Sequence, residues 1–367
     1  MRWYACRPFD SFLIRHVSET PMPLTFDDAT LNEAKRFNAR LARAPRFGSR
    51  HRFMPPLVQG LLRLSQVGAD RKLRRAGLQV ETRMVGLEGV QVQVRIIRPR
   101  GPVAGIVLDI HGGGWVVGNA PMNDAFNAAF ASRCGLAVVS VDYRLAPRAS
   151  VHEQMEECLA AARWLLQDGL PDHADHAGLP VIVVGESAGA HLAAATLQGL
   201  RAWPALLARI AGAVLYYGVY DMAGTDSVRR AGPETLVLDG PRMLAGLRRL
   251  TPALDDAARR QPPLSPLFGE LAGMPPALMI VGSGDPLLDD TLRMAQRWQQ
   301  VADVELNVAP EAPHGFIHFP TAMARVTLAH AQAWVRQRIA AMPQQEAFSA
   351  SASHALRAAG ASPGAPR

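Results

Sequence analysis

The stretch VGESAGAH, Val184 to His191, lies near the middle of a 367-residue chain and decides how the rest of the sequence is interpreted. An apolar run precedes it, and Ser187 stands in the spacing Gly-x-Ser-x-Gly. This pattern is typical of a sharp strand-to-helix turn that exposes the serine oxygen. An ordinary turn in which the serine caps a helix fits the same letters equally well. Ser187 is therefore a candidate nucleophile only if the chain supplies its partners.

Short apolar segments alternate with amphipathic segments on both sides of this stretch. The pattern predicts strands at 104–110, 137–142, 181–185, 212–217, 277–282 and 304–308. It predicts helices at 124–133, 153–167, 188–200, 287–301 and 321–341. Alternating residues around Gly86 and Gly89 predict a β-hairpin upstream. Together these elements indicate an α/β fold, a mostly parallel twisted sheet flanked by helices, with the hairpin at one edge.

Composition divides the chain into a core and its additions. Residues 1–77 carry helical spacing over 26–43 and 57–75, and residues 78–341 hold the strand–helix alternation. The segment 218–276 is rich in Pro, Gly and Arg and interrupts that alternation, so we expect a helical lobe over one end of the sheet. Residues 342–367 are poor in large apolar side chains, which predicts a disordered tail.

Charge and cysteine content exclude several function classes. The formal charge is +7, but the arginines are scattered. The densest basic patch, Arg71 to Arg75, lacks stacking aromatics, which favours a solvated surface over nucleic-acid binding. No apolar run approaches the roughly 18 residues of a membrane span. Three cysteines are too few for a disulfide framework or a zinc site, and no secretory signal is recognisable, so we expect a cytoplasmic protein.

A glycine-rich stretch supplies candidate donors for an oxyanion. HGGGW, His111 to Trp115, directly follows the predicted strand that ends at residue 110. Consecutive glycines mark places where the backbone approaches another group closely. The N–H groups of Gly112 and Gly113, with that of Ala188, are therefore predicted to face a developing oxyanion. A phosphate-binding loop is the alternative, but the Gly-Lys-Ser/Thr ending that it needs is missing.

A carboxylate is available at the end of a later strand. Asp285 follows the predicted strand 277–282, where it could orient an imidazole. Asp289 and Asp290 compete for this role, but they fall in the first turn of the next predicted helix, where acidic residues are favoured in any case. We therefore prefer Asp285.

The candidate base is His314, in a loop that follows the predicted strand 304–308. His318 and His330 are more simply interpreted as packing or surface residues. The pair His173 and His176, with nearby aspartates, suggests a metal site only weakly, because the segment reads as a loop. We therefore predict neither a metal nor a cofactor.

The chain order Ser187, Asp285, His314, with donors upstream, is the order expected of α/β-hydrolases. The chain resembles the hormone-sensitive-lipase-like branch of that fold, which includes the bacterial family IV esterases. The resemblance covers about 78–341 and rests on five motifs: HGGGW, DYRLAP, GESAG, SPLF with the following MPPALMIVGSGDPLLDD, and HGF. In that family the first helices and a later insertion form a cap, which corresponds here to 1–77 and 218–276.

The chain departs from the family pattern around the site. Glu186 and Ala190 stand where GDSAGG has Asp and Gly, Arg148 stands where Glu is usual, and Gly218 replaces a Pro. The serine, aspartate and histidine positions are intact. Trp115, Phe47 and Phe53 are predicted to shape the pocket, but the departures leave the substrate preference open.

The resemblance implies a metal-independent serine hydrolase that cleaves carboxylic esters of short to medium acyl chains. Its partner would be a small-molecule ester, and a homodimer remains an open alternative to a monomer. An amidase, an arylformamidase or a lactonase would use the same machinery. A small-molecule binding module is a rival from another class, although such modules lack a working base. A lipase acting at membranes is a weaker alternative, because the Arg-rich lobe does not suggest an apolar lid.

Overall fold

A computed structural model of the chain describes residues 24–43, 54–170 and 178–342. Eight strands form one sheet in the order β1-β2-β4-β3-β5-β6-β7-β8. The strands are β1 (Gln79–Leu87), β2 (Val90–Arg98), β3 (Ile106–Ile110), β4 (Ala137–Asp142), β5 (Val181–Glu186), β6 (Ile210–Tyr216), β7 (Ala277–Gly282) and β8 (Val304–Ala309). The β1–β2 hairpin is antiparallel and lies at one edge, where β2 pairs antiparallel with β4. The remaining neighbours pair in parallel, in the order β4-β3-β5-β6-β7-β8. The predicted α/β architecture with an edge hairpin is confirmed.

Helices cover both faces of this sheet. They are α1 (Asp28–Leu41), α2 (Met54–Ser65), α3 (Ala69–Arg75), α4 (Asp124–Cys134), α5 (Val151–Asp168), α6 (Ala188–Leu200), α7 (Pro204–Leu207), α8 (Asp226–Arg230), α9 (Gly240–Leu250), α10 (Asp256–Arg259), α11 (Leu288–Trp298) and α12 (Ala322–Ala341). One apolar core lies under α5, α6 and α11, and a second lies under α1, α4 and α12. The central strands β3 to β7 are buried on both faces, which explains their nearly continuous apolar runs.

The sequence pattern was wrong about one helix. A single helical segment is predicted over 57–75, but the structure has α2 and α3 in its place. Gly68 separates them with φ of +82°, a left-handed conformation that interrupts a helix. Several predictions lie outside the described residues: the pocket residues Phe47 and Phe53, the segment containing His173 and His176, and the tail from residue 343 onward.

Two acidic side chains at the start of α11 hold the inserted segment 218–276, which contains α8, α9 and α10. Asp290 accepts hydrogen bonds from the backbone of Tyr220 and Asp221 and from the hydroxyl of Thr225. Asp289 accepts a bond from the Ser227 N–H at 2.7 Å. Both competitors of Asp285 are therefore engaged in fixing the insertion.

A side-chain amide ties helix α2 to the rest of the protein. The Gln59 side chain exchanges two hydrogen bonds with the backbone of Gly118, at 2.8 and 2.9 Å. Leu57, Leu61 and Leu64 are 57%, 59% and 69% exposed. Exposed leucines at helical spacing therefore lie on a helix that is tied to the loop following HGGGW.

Candidate active site

Ser187 sits at a strained turn between β5 and α6. Its φ of +52° and ψ of −119° lie outside the regions that L-residues ordinarily occupy. The flanking glycines allow this geometry: a Cβ on Gly185 would lie 2.5 Å from the Gly189 carbonyl oxygen. A Cβ on Gly189 would lie 2.0 Å from the Ile110 carbonyl oxygen. The two glycines therefore allow the turn to pack tightly and to press against the end of β3.

An imidazole and a carboxylate lie in line with this serine. His314 Nε2 is 3.0 Å from Ser187 Oγ, and His314 Nδ1 is 2.9 Å from Asp285 Oδ2. The Asp285 side chain is buried, and its other oxygen accepts a hydrogen bond from the Leu287 N–H at 2.9 Å. His314 Nδ1 therefore donates to the carboxylate, which leaves the Nε2 lone pair facing the serine hydroxyl. The structure brings together all three residues that the sequence singled out.

The predicted donor groups lie on the loop beyond β3 and at the start of α6. Gly113 adopts φ of +107°, and a Cβ there would lie 2.0 Å from the Val117 carbonyl oxygen. Within the described parts of the chain, neither the Gly113 N–H nor the Ala188 N–H has a hydrogen-bond acceptor. The Gly112 N–H lies beside the carboxylate of Glu186 and lowers the pKa of that group. Two free donors and a third near an anion thus surround the turn that carries Ser187.

Buried aromatic contacts fix the loop that carries these donors. The His111 ring stacks on Tyr143 with centroids 4.3 Å apart, and the Tyr143 hydroxyl donates to the His111 carbonyl oxygen at 2.8 Å. Trp115, predicted to shape the pocket, is 3% exposed, and its Nε1–H donates to His191 Nδ1 at 3.3 Å. His191 Nε2 in turn donates to the Leu264 carbonyl oxygen of the insertion. Burial lowers the pKa of His191 to about 4, so this bridge is neutral at pH 7.

Sequence reasoning missed three side chains behind the nucleophile. Glu186 is buried, and its Oε2 accepts a hydrogen bond from the Tyr217 hydroxyl at 3.1 Å and pairs with His318 Nε2. His318, interpreted from the sequence as a packing or surface residue, is 35% exposed at its side chain and packs against the Phe126 ring, and it also contacts this buried carboxylate. The departure of residue 186 from the family pattern was the available signal, because a buried carboxylate needs a partner.

Among the residues that the structure describes, no group of three His, Cys, Asp or Glu side chains could hold a metal ion. The Cys134 and Cys158 thiols are free, and Cys158 is completely buried. None of the described helices combines the length and hydropathy that a bilayer span requires.

Comparison with known proteins agrees with this geometry. The sequence profile of the alpha/beta hydrolase fold family matches residues 107–318. An esterase from Acinetobacter venetianus is 31% identical over 229 residues, which is 62% of this chain and 71% of that protein. The carboxylesterase NlhH from Mycobacterium tuberculosis is 31% identical over 256 residues, which is 66% of this chain and 76% of that protein.

A solved structure shows the same likeness in three dimensions. The esterase from Pyrobaculum calidifontis superposes with a TM-score of 0.70 at 26% identity, covering 82% of this chain and 97% of that one. The chain belongs to the α/β-hydrolase fold family, as a member of its hormone-sensitive-lipase-like branch of bacterial esterases.

Proposed function

We propose that the protein cleaves carboxylic esters of short to medium acyl chains through an acyl-enzyme formed on Ser187. His314 takes the hydroxyl proton as Oγ attacks the ester carbonyl, and it then gives that proton to the departing alcohol. A water molecule activated by the same imidazole releases the acid and restores the serine. Asp285 holds the imidazole in the required tautomer and stabilises its charged form.

The tetrahedral intermediate needs donors where its negative charge develops. We assign this role to the N–H groups of Gly112, Gly113 and Ala188. The Gly113 and Ala188 N–H groups have no acceptor within the described residues, which leaves them available to an oxyanion. The Gly112 N–H lies beside the Glu186 carboxylate, and its assignment rests on its place in the glycine-rich loop. Removing one such donor typically costs about 3–4 kcal/mol of barrier.

The single observation that carries this proposal is the unbroken line of hydrogen bonds from Ser187 through His314 to Asp285. Such a line makes a weak nucleophile reactive without a cofactor. The same alignment disfavours the alternative of a small-molecule binding module, because a protein that only binds its ligand does not need an aligned base. Ester cleavage is also the activity that the names of the similar proteins state.

Two segments outside the sheet are proposed to form the cap over this site: residues 1–77 and the insertion 218–276. The insertion reaches the donor loop through the His191–Leu264 hydrogen bond, and α2 reaches it through Gln59 and Gly118. Both segments therefore contact groups that lie next to the reaction centre. The exposed leucines of α2 are proposed to offer an apolar surface to an acyl chain.

The test is burst release of p-nitrophenol from a series of p-nitrophenyl esters of increasing acyl length. The wild type should give a stoichiometric burst and react with a fluorophosphonate probe. Ser187→Ala should give neither, while Ser283→Ala, another serine at a strand end, should give both. Wild-type turnover by Ser187→Ala would refute the proposal. A higher kcat/KM for a matched amide or lactone would shift the substrate class while keeping the mechanism.

A further inference from the structure

The side chain of Glu186 lies directly beneath the donor loop. Glu186 precedes Ser187 in the chain and is only 5% exposed. A Cβ on Gly112 would lie 3.0 Å from the Glu186 carbonyl oxygen and 3.3 Å from its Cγ. The loop therefore rests on this residue, and any movement of the carboxylate changes the space available to Gly112.

The same carboxylate is connected to the wall behind His314. Its Oε2 accepts the Tyr217 hydroxyl hydrogen bond, and the Tyr217 ring packs edge-on against the His314 ring with centroids 4.8 Å apart. Tyr217 adopts φ of +38°, a strained conformation for a non-glycine residue that the surrounding contacts must maintain. Glu186 thus contacts both the donor loop, at Gly112, and the residue that packs against the candidate base, Tyr217.

The contact with His318 favours the ionised form of this buried carboxylate. Burial acts to raise the pKa of Glu186, but the charge and hydrogen bond of His318, with Tyr217 and the Gly112 N–H, lower it below its ordinary value. Burial acts to lower the pKa of His318, but Glu186 raises it above its ordinary value. The Asp109 carboxyl and the His111 imidazole also interact electrostatically with Glu186.

We propose that Glu186, held by His318, is a positioning residue that fixes the Gly112–Gly113 loop against Ser187 and, through Tyr217, the ring of His314. This inference rests on the proposed function, because it assigns a purpose to a pair that touches the site without touching the reacting atoms. A buried ion pair contributes little net stability, because the cost of desolvating both charges offsets their attraction, and a geometric role accounts for its place beneath the donor loop.

The chain offers a matched control for this pair. His330 on α12 and Glu305 on β8 form the same kind of contact, Nε2 to Oε1 at 2.5 Å. Neither residue belongs to the serine turn or to the donor loop. Glu186→Gln and His318→Gln are therefore compared with Glu305→Gln and His330→Gln, which remove the same chemical groups elsewhere.

The expected result is a loss in kcat with little change in KM. Glu186→Gln and His318→Gln should each lower kcat about 10- to 100-fold, the scale of a displacement of about 1 Å in a reacting centre. A trifluoromethyl ketone, whose adduct places an oxyanion among the donors, should lose affinity by a similar factor. The Glu305 and His330 variants should match the wild type. All rates are normalised to sites titrated with a fluorophosphonate, so a partly folded preparation is not mistaken for a slow one.

A pH profile separates positioning by charge from simple packing. His318 carries its charge below its raised pKa and loses it as the pH rises, so the wild type should show an alkaline decline in kcat. The half-exposed position of residue 318 gives room for His318→Lys, whose ammonium stays protonated to higher pH. That variant should retain activity and lack the decline.

These measurements distinguish a failure of the positioning role from a failure of the proposed function. If the wild type is labelled at Ser187 but the Glu186 and His318 variants match their controls in kcat and ketone affinity, the positioning role is wrong and the proposed function stands. Equal losses in all four variants would also overturn it, because a general loss of packing would then explain the effect. If Ser187 is not labelled in the wild type, both proposals fall.

Discussion

Replacing Asp285 by Asn should reverse the tautomer of His314 while leaving the fold intact. The Leu287 N–H lies 2.9 Å from Asp285 Oδ1 and requires an oxygen there, so the new amide nitrogen must take the position that faces His314 Nδ1 at 2.9 Å. Nδ1 would then accept a hydrogen bond, and the ring proton would move to Nε2. That proton would point at Ser187 Oγ, 3.0 Å away, and no lone pair would remain to receive the hydroxyl proton.

The expected cost is about 10⁴-fold in kcat, which corresponds to about 5.4 kcal/mol of barrier. Rotation of the new side-chain amide by 180° would restore the original tautomer of His314 but would turn the amide nitrogen toward the Leu287 N–H. Two donors would then face each other in a buried position, at a cost of about 1–3 kcal/mol. The assay is p-nitrophenyl ester hydrolysis at pH 7, with thermal unfolding as a check on folding. Asp289→Asn is the matched control and should keep near wild-type kcat. A folded Asp285→Asn enzyme within tenfold of the wild type would refute the reasoning.

Three further changes probe other contacts. Gly189→Ala drives a Cβ to 2.0 Å from the Ile110 carbonyl oxygen, so urea unfolding should show a loss of about 1–3 kcal/mol and kcat should fall; an unchanged midpoint would contradict the close packing. Burial lowers the pKa of His191 to about 4, so the free energy of unfolding should be highest above pH 6.5 and should fall by about 3 kcal/mol as the pH drops toward 4. His191→Gln should weaken this pH dependence of the unfolding free energy, and an unchanged dependence would contradict the assignment. Leu61→Ser on α2 should lower kcat/KM for long acyl esters about fivefold and leave acetate esters unchanged, whereas equal effects on both would exclude a contact with the acyl chain.

Strand positions were readable because each strand sits between turns and carries its own apolar run. The boundaries of β4, β7 and α6 agree with the prediction to the residue, and the hairpin was visible from its alternation around two glycines. The sequence did not reveal the break at Gly68, because a glycine inside a helical pattern is compatible with either a continuous helix or an interruption.

The three reactive side chains were predictable for a topological reason. In a parallel sheet every strand ends at the same edge, so a polar residue just after a strand is brought close to its counterparts whatever their separation in the chain. Ser187, Asp285 and His314 satisfy that rule. The choice of Asp285 over Asp290 followed from helix position, and the structure adds the reason that Asp290 is occupied by the insertion.

The contact between Glu186 and His318 obeys no such rule, and this is why the sequence did not reveal it. Glu186 is the last residue of β5 and could have been interpreted as another polar group at the sheet edge, but its side chain is buried under the donor loop. Its partner lies four residues beyond the base, on a turn whose direction depends on Gly315 at φ +74°. Edge positions thus follow from topology alone, whereas the direction of a side chain at the edge depends on local backbone geometry. Residues that position the reactive groups depend on that direction, so they are expected to be the part of such a site that sequence patterns identify least well.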